Sequence, residues 1–156
     1  MNDPELLHIT NPRAFLLHDF QSFMLKALST SPLMPDAEAA ILELATYLNT
    51  GGDLIGLFAV RERGLYTGMA LAENNASALS PGCTVLHFYN AGSPEARKRL
   101  VQAVLAFAAA GGMSKIRGFD VNSKPRAFAR LFQSDSGLVA SPLGQIYEFE
   151  ARGTDT

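Results

Sequence analysis

The chain has 156 residues, of which 47% are hydrophobic and 18% are charged, and its formal net charge is −2. This composition is typical of one globular domain and excludes a disordered chain and a strongly basic nucleic-acid platform. With Cys83 as the single cysteine, an internal disulfide and a thiolate zinc site are also excluded.

The first third of the chain predicts one strand and two helices. A short apolar run at residues 6–10 has strand character, and Pro12 then introduces a helix over 14–28. Asp36 can cap a second helix over 37–48, whose sequence has strong helical propensity.

The middle of the chain predicts antiparallel strands. Two apolar runs, at 54–60 and 65–72, are joined by a short polar link with a glycine, which is typical of a hairpin. A polar loop over 73–82 then leads to a further strand at 84–89.

The last part predicts a long helix that Ser93 can cap, with Pro94 at its first position and an end near residue 110. A strand, a helix and two closing strands follow, at 115–121, 125–133, 138–139 and 145–150. The strand–helix–strand unit implies a parallel pair. The order β-α-α-β-β-β-α-β-α-β(-β) therefore predicts a mixed α/β (α+β) sheet in one domain, residues 1–150, with a polar tail at 151–156.

This order, with these element lengths, resembles the GNAT superfamily of N-acetyltransferases over nearly the whole chain. The resemblance implies an acetyltransferase-like fold, acetyl-CoA as the acyl donor, and direct transfer of acetyl to an amine. The acceptor, a small molecule or a protein, is not identified by any residue. In that family the segment between the fourth strand and the next helix holds the pyrophosphate of the cofactor, and its glycines let the backbone approach the phosphates.

The segment that matches this loop departs from the family's usual pattern, which indicates a degenerate member. Gly92 is the one glycine in reach, Pro94 lacks an N–H group, and Glu95 places a negative charge in the first helical turn. A plain helix cap is therefore as well supported as a CoA-binding loop. The cofactor-binding residues that the resemblance implies are Tyr89, Asn90, Ala91, Gly92, Ser93, Ala96, Arg97, Asn122 and Phe132.

Two of these residues follow the fifth strand. Asn122 matches an asparagine that lies near the pantetheine arm in the family, although a simple turn role is an equal alternative. Phe132 falls where the family often carries a tyrosine that protonates the departing thiolate. Phenylalanine has no proton to give, and a core role for Phe132 is the stronger expectation.

Three residues are candidates for acid–base chemistry. Glu73, at the end of the third strand, and His87, inside the fourth, are candidate general bases, and Tyr89 is a candidate proton donor. Strand alternation predicts that His87 shares one face with Val85 and Tyr89. A structural role is the commoner interpretation for each candidate. Splayed backbone N–H groups of the fourth strand are candidate oxyanion donors, and no metal site is predicted.

A second hypothesis is a catalytically inactive acetyltransferase-like protein that serves as a binding or assembly module, such as a phage structural or host-interacting protein. The incomplete phosphate loop and Phe132 favour it, whereas Gly92 and Asn122 favour the enzyme; no residue supports the phage setting itself. No nucleic-acid partner is expected, because the chain has no strongly basic surface. No membrane partner is expected, because no apolar run reaches the ~20 residues of a membrane span. We expect a cytoplasmic protein, or a virion-associated one if a phage encodes it.

Overall fold

The computed structural model describes residues 3–31, 33–77, 79–118, 127–141, 143 and 149. Its strands are β1 (Glu5–His8), β2 (Ile55–Glu62), β3 (Leu65–Asn75), β4 (Gly82–Asn90) and β5 (Ile116–Gly118). Its α-helices are α1 (His18–Leu28), α2 (Ala37–Asn49), α3 (Pro94–Ala110) and α4 (Ala127–Ser136), and a 3₁₀ helix spans Pro12–Leu16.

The five strands form one mixed sheet in the order β1-β2-β3-β4-β5. Neighbouring strands from β1 to β4 are antiparallel, and β4 pairs with β5 in parallel, with Cys83 opposite Ile116 and Val85 opposite Gly118. The predicted mixed α/β fold is confirmed. The parallel pair follows from the α3 crossover, which returns the chain to the same end of the sheet.

Local sequence signals explain where the confirmed elements begin and turn. The Asp36 carboxylate accepts a hydrogen bond from Ala39 N–H at 3.1 Å, so it caps α2 as predicted. The β2–β3 hairpin turns on two residues, Arg63 and Gly64, with φ of 53° and 80°. Positive φ at both positions is the requirement of a tight hairpin turn whose twist matches the strands.

Two apolar clusters cover the two faces of the sheet. On one face α1 and α2 pack over β2 and β3, and the cluster includes Phe20, Met24, Leu57 and Met69, each with no exposed surface. On the other face α3 packs over the same strands through Leu100 and Val104, which are equally buried. Alternate residues of each strand belong to opposite clusters. The loop between β4 and α3 lies at the end of the sheet, where β4 ends.

The predicted helix over 14–28 is wrong in one respect: Leu17 interrupts it. Leu17 has an extended backbone, with φ −78° and ψ 122°, between the 3₁₀ helix and α1. The interruption turns Phe15 and Phe20 into the same core, where their ring centroids are 5.3 Å apart. Leu16, the last residue of the 3₁₀ helix, is 81% exposed.

The predicted strand at 138–139 is also wrong, because side chains of α4 take the backbone groups that a strand would use. Leu138 N–H donates to Ser136 Oγ at 3.1 Å, and Ala140 N–H donates to Gln133 Oε1 at 2.6 Å. In addition, β3 continues to Asn75 where a loop from residue 73 was predicted. The predictions for 119–126, the strand at 145–150 and the tail at 151–156 fall on positions outside the described residues, apart from Phe149.

Candidate functional site

A β-bulge in β4 decides which way its polar residues face. Leu71 of β3 lies opposite His87, but the next residue, Ala72, lies opposite Val85, so Leu86 is an extra residue in β4. A bulge places two successive side chains on one side and reverses the alternation beyond it. Val85 accordingly packs on the α3 side, whereas Leu86 and His87 both face α1. The predicted common face for His87 and Val85 is therefore wrong.

His87 connects β4 to the end of α1. Its Nε2 lies 2.7 Å from the Ala27 carbonyl oxygen and 3.2 Å from Thr30 Oγ1. The carbonyl can only accept, so the tautomer assigned from this contact carries its proton on Nε2, and Nδ1 is the basic nitrogen. Burial lowers the pKa of His87, and the bond to Ala27 raises it by less, so the neutral ring is favoured.

Tyr89 lies on the same face of β4 as His87, two residues closer to the loop. It is half-buried, and its ring centroid is 6.0 Å from that of Phe23 on α1. The structure thus brings two of the three candidate acid–base residues to one side of one strand.

Glu73 lies away from this pair. It is exposed on β3, where it pairs with Ile55 and with Thr84, whereas Asn90, at the start of the loop, pairs with Gly68. The five residue steps from position 68 to position 73 span about 17 Å of strand. The structure therefore does not bring Glu73 to the β4–α3 loop.

The structure buries the side chain of the single cysteine, Cys83. Cys83 is buried at the start of β4, and burial raises the pKa of its thiol to about 11. The side chain of Cys83 is therefore a small buried hydrophobe rather than a nucleophile.

Most backbone N–H groups of the β4–α3 loop are bonded within the chain. Ala91 N–H donates to the Thr67 carbonyl at 2.8 Å, and Gly92 N–H donates to Asn90 Oδ1 at 3.2 Å. Ser93 N–H donates to the carboxylate oxygen Oε1 of Glu62 at 3.0 Å. One loop amide is thus bound to an oxyanion that the chain itself supplies.

The first turn of α3 is capped as the sequence predicts. Ser93 Oγ accepts from Ala96 N–H at 3.1 Å, and the Ser93 carbonyl accepts from Arg97 N–H at 3.2 Å. Pro94 has no N–H group. Within the part of the chain that the structure describes, Glu95 N–H is the one backbone N–H group from residue 91 to residue 97 that has no partner.

Glu62, at the end of β2, contacts the β4–α3 loop and was not predicted from the sequence. Its Oε1 also accepts from Thr67 Oγ1 at 2.8 Å. The bond from Ser93 N–H, followed by that from Thr67, lowers the pKa of Glu62, because both bonds stabilise the carboxylate. Position 62 was predicted as part of a hairpin turn, and no local signal relates it to Ser93, 31 residues away.

Gly92 is needed for space rather than for an unusual backbone conformation. Its φ is not among the positive values of the described glycines. A Cβ at position 92 would overlap Glu62 Oε1 and lie 2.6 Å from Thr67 Oγ1. The volume that glycine opens is therefore filled by Glu62 and Thr67.

Arg97 is held by Asp135 of α4. Its Nε and Nη2 donate to the two carboxylate oxygens at 2.5 and 3.2 Å, and the Asp135 side chain is only 1% exposed. This bidentate bridge joins α3 to α4. Asp135 is a second residue that no local sequence signal selects.

Aromatic rings fill the space between β4, α3 and α4. Phe132 lies 5.4 Å from Phe128, which is 5.9 Å from Phe88, measured between ring centroids. The void they leave is about 20 Å³, room for about one water molecule. Phe132 is thus packed against the α3 cluster. Asn122, the other residue predicted after the fifth strand, lies outside the described residues.

The described part of the chain has neither a cluster of metal ligands nor a helix that could span a membrane. Its His, Cys, Asp and Glu residues form no group of three or more that could hold a metal ion. None of its helices is long and apolar enough to cross a bilayer.

The sheet order and the helix placement are those of the GNAT acetyltransferase fold. The chain is similar to solved structures of a ribosomal-protein-alanine N-acetyltransferase from Brucella melitensis biovar Abortus 2308 (16% identity, 96% of this chain and 100% of that chain, TM-score 0.65) and of a glucosamine-6-phosphate N-acetyltransferase from Arabidopsis thaliana (12%, 96% and 100%, TM-score 0.63). It is also similar to AAC(6')-Iy in complex with a CoA bisubstrate analogue (15%, 97% and 100%, TM-score 0.67). These identities establish the fold alone. No family model and no curated protein matches the sequence.

Proposed function

We propose that this chain is an acyl-CoA-dependent N-acetyltransferase that transfers acetyl directly from acetyl-CoA to an amine. The observation that carries the proposal is the β4–loop–α3 unit within an acetyltransferase fold, where Ser93 N–H binds a carboxylate oxygen at 3.0 Å. A backbone donor that holds one oxyanion can hold another, and the positive end of α3 favours negative charge at this position.

The loop residues fit a diphosphate if the Glu62 side chain moves away. Glu62 reaches the loop with the end of a flexible side chain. When this carboxylate swings away, the loop backbone stays in place and Ser93 N–H is freed beside Glu95 N–H. These two donors, together with the space beside Gly92, would hold the phosphate oxygens. Asn90 would keep the loop in shape, since its amide donates to the Ser93 carbonyl at 3.2 Å.

Acetyl-CoA would supply the activated thioester carbonyl, and the chain would supply proton transfer and donors for the carbonyl oxygen. His87 and Tyr89 are the better supported acid–base pair, because they share a face of β4 near the loop while Glu73 does not. Backbone N–H groups of β4 are the candidate oxyanion donors. Phe132 offers no acid, which would cost ~10²–10⁴-fold in rate without abolishing transfer.

The experiment that tests the proposal is thermal unfolding with and without CoA, followed by a thiol-release assay over a panel of small-molecule and peptide amines. Ligand at ~100 times its dissociation constant should add about 2.7 kcal/mol of stability. Saturable stabilisation together with amine-dependent thiol release would support transfer. A melting temperature that millimolar CoA leaves unchanged both in wild type and in a Glu62→Gln variant would overturn the proposal.

A second candidate function is a binding or assembly module that keeps the scaffold without turnover. Three features support it: the loop amides are bonded within the chain, aromatic rings fill the space between α3 and α4, and Arg97 is committed to Asp135. The same measurement of thermal unfolding with and without CoA separates the two functions, because a module of this kind would bind neither CoA nor acetyl-CoA.

A further inference from the structure

The Glu62 carboxylate closes the β4–α3 loop through contacts with two separate elements. Oε1 accepts from Ser93 N–H at 3.0 Å and from Thr67 Oγ1 at 2.8 Å. The residues come from the end of β2, the start of β3 and the N-cap of α3, so the contact exists only in the folded chain.

The carboxylate also occupies the room that the loop provides. Gly92 lacks a side chain, and a Cβ there would overlap Glu62 Oε1. An incoming phosphate oxygen that bonded to Ser93 N–H would need the same donor and much of the same volume. Glu62 and an external anion therefore exclude each other at Ser93.

The charges around the loop increase this competition. Glu95 adds a second carboxylate in the first turn of α3, and the Arg97 guanidinium is engaged by Asp135. The lowered pKa of Glu62 keeps its side chain ionised at neutral pH. Within the described residues of the loop and of the first turn of α3, Arg97 is the one basic side chain.

We infer that Glu62 is an autoinhibitory group: its carboxylate competes with the diphosphate of the ligand for Ser93 N–H and the space beside Gly92. This inference rests on the proposed function, since it concerns the regulation of the proposed CoA site. Binding then requires Glu62 to turn outward, and the affinity for diphosphate ligands is set by how strongly Ser93 and Thr67 hold it.

The test is isothermal titration of the whole chain with CoA and, separately, with inorganic pyrophosphate. Glu62→Gln removes the charge and keeps the size of the side chain, and Thr67→Val removes one of the two donors that hold it. The matched control is Glu43→Gln, an exposed residue of α2 that undergoes the same change of charge. We expect CoA to bind Glu62→Gln at least ~10-fold more tightly than wild type, Thr67→Val to improve binding by a smaller factor, and Glu43→Gln to match wild type.

The outcomes separate this inference from the proposed function. CoA binding of equal strength to wild type and Glu62→Gln, or weaker binding to the variant, would overturn the inference and leave the proposed function standing. An equal gain in Glu43→Gln would overturn it too, because a general charge effect would then explain the result. Failure of CoA and pyrophosphate to bind any folded form at millimolar concentration would overturn both. If circular dichroism shows that Glu62→Gln does not fold, the CoA affinity of Thr67→Val relative to wild type tests the inference instead.

Discussion

Two kinds of polar contact surround β4, and they differ in what holds them. His87, bonded to the Ala27 carbonyl, and Arg97, bonded to the almost fully buried Asp135, tie β4 and α3 to neighbouring helices. We call these the locked contacts. Glu62 reaches Ser93 with the end of a flexible side chain, and we call this the exchangeable contact. The difference teaches that a fold can be fixed on both sides of a loop while one donor of that loop, Ser93 N–H, remains available to a competitor.

The largest expected effect is at the Arg97–Asp135 bridge. Arg97→Ala leaves a carboxylate with 1% side-chain exposure without its partner, which should lower the free energy of unfolding by about 3–5 kcal/mol. Urea titration followed by circular dichroism measures this loss.

The matched control is the other arginine bridge. Arg61 and Glu5 form a 2.7 Å pair whose side chains are 35% and 52% exposed, so Arg61→Ala should cost about 0–1 kcal/mol. If both variants lose the same stability, the Arg97 bridge is not a locked contact.

The next effect is at His87. His87→Ala removes the bond to Ala27 and the packing of a partly buried ring, and should cost about 2 kcal/mol. His18→Ala, at an exposed position on α1, should stay within ~0.5 kcal/mol of wild type. A negligible loss at His87 would remove it from the locked contacts.

The same histidine should make stability depend on pH. The folded pKa of His87 lies below its ordinary value of 6.5, so the unfolded chain binds the proton first. The contribution of neutral His87 to the free energy of unfolding is present in full above pH ~6.5. It is lost as the pH falls through the lowered pKa of the folded state, at up to ~1.4 kcal/mol per pH unit.

Unfolding of wild type and His87→Gln between pH 5 and 8 measures this slope, and the variant should have the shallower one. Burial also lowers the pKa of His8, so His8→Gln serves as the parallel variant. Identical slopes in wild type and His87→Gln would contradict the assignment.

The smallest expected effect on stability is at the exchangeable contact. Glu62→Gln retains an oxygen acceptor for Ser93 N–H, so the free energy of unfolding should change by less than about 1 kcal/mol. A loss above ~2 kcal/mol, measured by the same urea titration, would place Glu62 among the locked contacts.

The parts of the fold that the sequence predicted are those with local causes. Asp36 and Ser93 cap their helices within three residues, and Gly64 lies in the hairpin turn that it helps to define. The extended conformation of Leu17 has no such signal, because the packing of Phe15 and Phe20 in one core produces it. The strand at 138–139 failed because Gln133 and Ser136 capture backbone N–H groups.

The candidate site was predicted less well, for the same reason. The sequence selected Gly92 and Ser93 from a glycine and a helix cap that are adjacent in the chain. Glu62 and Asp135 act on the loop and on α3 from 31 and 38 residues away. Contacts of that separation depend on the sheet register and on helix packing, which no short pattern encodes.

The bulge at Leu86 has a consequence for how this strand tolerates change in length. Leu86 is the one residue of β4 without a direct partner in β3, and every side chain after it takes the side opposite to strict alternation. Removing that single codon would restore regular pairing, with Val85 still opposite Ala72 and His87 still opposite Leu71. A one-residue deletion at this position would thus keep the imidazole and the Phe88 ring in their present layers, whereas a deletion at a regularly paired position of the strand would shift the register of every residue on one side of it.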